Sequence, residues 1–70
     1  MDRYKITMPD GAWTDEDFES DTDAIGRAID VNHGVSDGIV VQRYVEDGTL
    51  LPTLLGPAHP TYAHYKSDTA

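Results

Sequence analysis

In the stretch DEDFESDTD, Asp15, Asp17, Glu19, Asp21 and Asp23 set a carboxylate at every second residue, and Glu16 adds one out of phase. A calcium loop, the acidic first turn of a helix and a row of charges imitating nucleic acid all use acids this densely. The calcium loop fails on spacing. An EF-hand needs glycine at its sixth position and a bidentate glutamate at its twelfth. Registers starting at Asp15, Asp17 and Glu19 put Ser20, Thr22 and Ala24 at the sixth position and Gly26, Ala28 and Asp30 at the twelfth. A helix start accounts for Asp21 and Asp23, which its dipole favours by about 0.3–1 kcal/mol each. It does not account for six acids within nine residues, since like charges repel.

The period of two decides how the acids would be displayed. On a helix a step of two residues turns about 200°, which scatters the five around the axis. On an extended chain they line one edge at roughly 6.6 Å intervals. That row is comparable to successive phosphates along one nucleic-acid strand, with Phe18 facing the other way as an anchor. The pattern therefore predicts an extended, acid-edged segment that runs into a helix at Ser20 or Thr22.

Other reactive side chains do not converge in the sequence. His59 and His64 are five apart and His33 is distant, unlike the tight pairs of zinc sites. Asp30, His33 and Ser36 fall in one short connection with no nucleophile elbow around the serine. The stretch NHGVSDG lacks the lysine of a phosphate loop and the spacing of a dinucleotide loop. No cofactor, metal or enzymatic activity is expected.

The elements that would carry the acids follow from periodicity. Tyr4, Ile6 and Met8 alternate with Arg3, Lys5 and Thr7, the pattern of a half-buried strand. Pro9-Asp10-Gly11 is turn chemistry, and Ala12-Trp13 starts a returning strand that brings Trp13 back as a core anchor. From Ser20 the period changes: Ala24, Ile25, Ala28 and Ile29 form the stripe of an amphipathic helix. Ser20 with Asp23 resembles a capping box, Thr22 is a rival cap, and Asn32-His33-Gly34 supplies a left-handed stop after about Val31.

Ile39 to Val45 is rich in β-branched residues, and Asp47-Gly48 signals a hairpin. A two-residue turn there pairs Val45 with Leu50, Arg43 with Pro52 and Val41 with Leu54, on one face with Ile39. Tyr44 with Leu51 and Val40 with Leu55 then share the other face. Both faces are partly apolar, so either one could be core. Pro52 cannot donate to a ladder, which puts its strand at an edge or breaks it. The expected fold is α+β: a small antiparallel β-sheet with one α-helix packed across it, in β-β-α-β-β order. Residues 1–56 form the domain; 57–70 form a C-terminal extension with a short strand around Thr61–Tyr65 and a loose end.

Size and charge bound the function. Seventy residues without cysteine make one domain with a thin core and no disulfide framework. No apolar run approaches a membrane span and the start MDRYKITM has no secretory pattern, so cytoplasmic residence is expected. The net charge is −8, of which residues 10–30 carry −7. A field this strong repels nucleic-acid phosphates and anionic lipid and favours basic protein surfaces.

No family motif matches residue by residue. In its size, its acidity and its strand–helix–hairpin order, the chain resembles small phage-encoded accessory proteins such as anti-CRISPR and anti-restriction inhibitors. That resemblance implies an inhibitor that imitates nucleic acid or plugs a basic channel. The expected function is thus a non-enzymatic acidic module that docks on a basic surface of a nucleic-acid-handling complex. Its partner-binding residues would be Asp15, Glu16, Asp17, Glu19, Asp21 and Asp23. The alternative is a structural or assembly protein, a homodimer through Val40, Tyr44, Leu51 and Leu55.

Overall fold

The alternation of Tyr4 and Ile6 becomes strand β1 (Asp2–Thr7), which turns at Met8–Ala12 into β2 (Trp13–Phe18). The computed structural model describes residues 1–62. Helix α1 (Asp21–Val31) follows, then β3 (Val40–Tyr44), β4 (Thr49–Pro52) and the two-residue β5 (Thr61–Tyr62). The strands form one antiparallel sheet in the order β2-β1-β3-β4-β5. This is the α+β arrangement expected, with the helix between β2 and β3, two strands before it in sequence and, with the short β5 added to the expected pair, three after it. Residues 63–65 of the expected C-terminal strand lie outside the described residues.

Register assigns each strand residue to one of two faces. Ile6 pairs with Thr14 and Val41, and Tyr4 with Glu16 and Arg43. These residues therefore share a face, and α1 covers it. Tyr4, Ile6, Ile39 and Val41 pack there against Ala24 and Ala28, with Met8, Phe18, Ile25, Ile29 and Leu55 around them. The alanines are what let an eleven-residue helix lie close on so small a sheet. The opposite face carries Arg3, Lys5 and Thr7 of β1, Trp13, Asp15 and Asp17 of β2, and Val40, Gln42 and Tyr44 of β3. No helix among the described residues covers it. Its β2 side, with Arg3, Trp13, Asp15 and Asp17, is exposed. Gln42 and, on β4, Leu50 are buried towards its β5 side, where Gln42 donates to the Thr61 hydroxyl at 3.0 Å.

Ser20 caps the helix. Its backbone is extended, and its hydroxyl accepts from the Asp23 N–H at 3.2 Å, while Thr22 lies inside the first turn. At the other end Gly34 N–H reaches the Ile29 carbonyl (2.8 Å) and His33 N–H the Asp30 carbonyl (3.2 Å). This is the paired bonding of a Schellman stop. His33 takes the left-handed conformation there (φ 59°), ahead of Gly34.

The second hairpin departs from the expected register by one residue. Val45 N–H bonds to Thr49 and Gly48 N–H returns to Val45, so the loop is Glu46-Asp47-Gly48, with Gly48 at φ 87°. A three-residue loop with a left-handed glycine is the next most common hairpin connection after the two-residue turn. Tyr44 therefore pairs with Leu50, Arg43 with Leu51 and Gln42 with Pro52. The core face is the one bearing Val41 and Ile39, but Leu54 does not join it and is 92% exposed. Pro52 breaks the ladder as expected, although β4 is not an edge strand because β5 flanks it. Past the break, the Thr53 hydroxyl donates to the Val41 carbonyl (2.6 Å), and Val41 N–H bonds to Leu55 (2.9 Å). A side chain thus replaces the backbone donor that the bulged chain withdraws.

The two candidate caps can be separated by mutation. Ser20→Ala should lower unfolding free energy by about 1 kcal/mol, as measured by urea denaturation. Thr22→Ala should change it by no more than a few tenths, because alanine is the better residue inside a helix.

Candidate functional site: the acidic edge and the open sheet face

The acid-edged segment is extended as far as Phe18 and meets a helix capped by Ser20, as its period required. The row is shorter than five. Asp15 and Asp17 lie on the open face of β2 and Glu19 follows in the bend before the helix. Asp21 and Asp23 sit in the first helical turn, where the extended period no longer applies. Glu16 points to the helix-covered face, half-buried, and accepts from the Thr14 hydroxyl at 3.0 Å.

Asp21 turns towards the sheet. It accepts from the Tyr4 hydroxyl at 2.6 Å and lies 3.8 Å from Arg43 Nε. Tyr4 has no exposed surface, so Asp21 satisfies a hydroxyl that water cannot reach. Burial raises the Tyr4 phenol well above its ordinary value. The Asp21 hydrogen bond and the charges of Asp21 and Asp2 add to the rise, against a smaller opposing pull from Arg43. Phe18 packs edge-on to the Tyr4 ring, with centroids 6.0 Å apart, which is the anchoring expected of it.

On the open face, acids, bases and aromatics interlock across three strands. Arg3 is opposite Asp17, with Nε 3.5 Å from a carboxylate oxygen. Lys5 is opposite Asp15, but its ammonium lies 4.7 Å from the centre of the Trp13 ring. Asp15 instead accepts from the Tyr44 hydroxyl at 2.9 Å. Tyr44 is on β3, so its ring spans β1 between Arg3 and Lys5, bridging strands about 10 Å apart. Burial, then the bond to Asp15 and its charge, push the Tyr44 phenol up to about 12, with Arg3 pulling the other way.

Trp13 is thus not the core anchor its type suggested. It stands 55% exposed on the open face, opposite Thr7 and diagonal to Lys5. The Lys5 contact is a cation–π interaction at a partly solvated site. Arg3, Lys5, Trp13 and Tyr44 are neighbours of the acids that the acidic run alone does not reveal. A signal for the bases was present, since a three-residue turn at Pro9-Asp10-Gly11 puts Lys5 opposite Asp15 and Arg3 opposite Asp17.

The four apolar residues expected to form a dimer face are separated. Val40 and Tyr44 lie on the open face, Leu51 lies opposite Arg43 on the other, and Leu55 packs against the core. The register slip of the second hairpin is the cause.

Among the described residues, no three acids and histidines converge as a metal site would need, and no helix is long and apolar enough to cross a membrane. Asp30, His33 and Ser36 are all exposed at the helix end, with only a backbone bond joining His33 to Asp30. His59 sits near the Pro60 carbonyl, and His64 lies outside the described residues.

No family model, curated protein or solved structure matches this chain.

The tyrosine bridge gives a pH dependence with a definite sign. The Tyr44 phenol holds its proton more tightly folded than unfolded, so its contribution is full below the ordinary value of 10 and is lost as pH rises through about 12. Urea midpoints measured at a series of pH values should fall more steeply across that window in the wild type than in Tyr44→Phe. Parallel curves would show that the bridge contributes nothing.

Proposed function

We propose that this protein is an acidic interaction module that docks through β2 and its continuation on a basic surface of a nucleic-acid-handling protein, which it inhibits by occupying the place of a nucleic-acid strand. The observation that carries this reading is the position of the acids. Asp15 and Asp17 lie on a strand at the rim of the sheet, half exposed, and Glu19 and Asp23 extend the charge past the rim to the helix start. Arg3 and Lys5 offset only part of this charge, because the strand, the bend and the first helical turn together carry six acids and the facing strand two bases. An Arg- and Lys-lined groove would gain charge-assisted bonds from these carboxylates, and the field would speed encounter.

A second reading is favoured by the same placement. Charged residues on an edge strand keep it from pairing with strands of other molecules, so the acids also act as protection against aggregation. The two readings differ in their consequence for capture by a partner.

Asp15→Asn, Asp17→Asn, Glu19→Gln and Asp23→Asn combined should preserve cooperative unfolding, because Asp21 keeps its bond to Tyr4. Proteins retained from a lysate on the immobilised chain at low salt, and released at high salt, should be lost with this variant. Short DNA or RNA duplexes should displace them from the wild type. Equal retention by wild type and variant would contradict the reading, as would retention that salt does not weaken.

A further inference from the structure

The hydrogen-bond phase of the first hairpin determines which backbone groups of β2 face away from the sheet. Met8 N–H bonds to the Ala12 carbonyl at 2.7 Å, so that pair is a bonded pair of the antiparallel ladder. Bonded and non-bonded pairs alternate along such a ladder. Thr14, Glu16 and Phe18 therefore exchange bonds with β1, while the N–H and C=O groups of Trp13, Asp15 and Asp17 point outwards. The phase is consistent across the sheet, since it directs Val41 and Val45 to the side of β4, where Val45 N–H bonds to Thr49 and Val41 N–H to Leu55 just past the strand. Among the described residues, no backbone group of β2 bonds to anything beyond β1.

This edge is regular. Trp13–Phe18 contains no proline, glycine or bulge, and all six residues pair in a single register with β1. The devices that usually blunt an edge are absent from it except for charge. That charge also selects the occupant. A second copy pairing antiparallel by two-fold symmetry over most of the strand sets Asp15 against itself or against Asp17, and like charges directly opposite are destabilising. On the inner side of β2, the same two aspartates face Lys5 and Arg3, which are bases at alternate positions of a strand.

We infer that the open edge of β2 binds its partner by strand addition, taking up an extended segment with Lys or Arg at alternate positions, in the way β1 already pairs on its other side. Outward backbone groups at Trp13, Asp15 and Asp17 supply the ladder, and the Asp15 and Asp17 carboxylates choose a basic strand over an acidic or apolar one. Trp13 offers its exposed ring to a side chain at the end of the added strand. This rests on the docking function proposed above and names the element of the partner that makes the contact.

The test uses the full chain and synthetic peptides, with the fluorescence of Trp13, the chain's single tryptophan, as reporter. An eight-residue peptide alternating Lys or Arg with Thr or Val is the probe. One control has the same composition with its bases contiguous, and another is N-methylated at alternate backbone amides to remove ladder donors. The alternating peptide should bind and shift the fluorescence. Both controls should bind at least about tenfold more weakly, and Asp15→Asn with Asp17→Asn should weaken the alternating peptide by about tenfold. If all three peptides bind equally and salt abolishes them equally, strand addition is overturned while docking on a basic surface stands. If no basic peptide binds, both fall.

Discussion

A tyrosine hydroxyl buried at the centre of a sheet needs an acceptor, and this small domain provides one from the first turn of its helix. The 2.6 Å bond from Tyr4 to Asp21 ties the start of α1 to the first position of the β1 core stripe. A buried hydroxyl without its partner would carry a desolvation penalty of about 1–3 kcal/mol, a large share of the stability available to so thin a core. The bond also draws in Arg43, whose guanidinium approaches the same carboxylate from β3. Three elements, β1, β3 and α1, thereby meet at one side chain. This polar tie adds to the apolar packing of Ala24 and Ala28 on Tyr4, Ile6, Ile39 and Val41, which seats the helix on the same face.

From that constraint follows the division of labour among the acids. Asp21 is structural, and its removal from the row leaves the exposed charge on Asp15, Asp17, Glu19 and Asp23. Asp15 is held by Tyr44, whose hydroxyl keeps its carboxylate over the open face. Asp17 keeps a solvated pair with Arg3, worth little by itself. Asp15 and Asp17 thus answer the alternation of Lys5 and Arg3 across the ladder, and the carboxylates left over are Glu19 and Asp23, next to the helix start. Under the proposed function, this charge beyond the matched pairs is what a basic partner would meet.

The sequence made the elements legible wherever one signal ruled. Ser20 before an Ala24, Ile25, Ala28, Ile29 stripe marks a helix whichever tertiary contacts follow. Tyr4 and Ile6 alternating with Arg3 and Lys5 mark a strand in the same way. It was less legible where two local solutions compete. Asp47-Gly48 suits a two-residue turn, yet Gly48 is used as the left-handed third residue of a longer loop, and that single residue moves Leu51 and Leu54 off their expected faces. Trp13 illustrates a different limit. Its type favours burial, but the parity of its position on β2 puts it with Asp15 and Asp17 on the face that α1 leaves open, where the ammonium of Lys5 lies over its ring. The bond from Tyr4 to Asp21 joins residues seventeen apart and has no signature in local pattern.

The most direct measurement is a double-mutant cycle on that bond, with Tyr4→Phe, Asp21→Ala and the double variant compared by urea denaturation. A coupling free energy of about 1–2 kcal/mol is predicted, with Asp21→Ala the more damaging single change because it leaves a buried hydroxyl unpaired. Additive effects within a few tenths of a kcal/mol would contradict the account, because Asp21 would then be one more solvated acid and the helix would owe its place on the sheet to apolar packing alone.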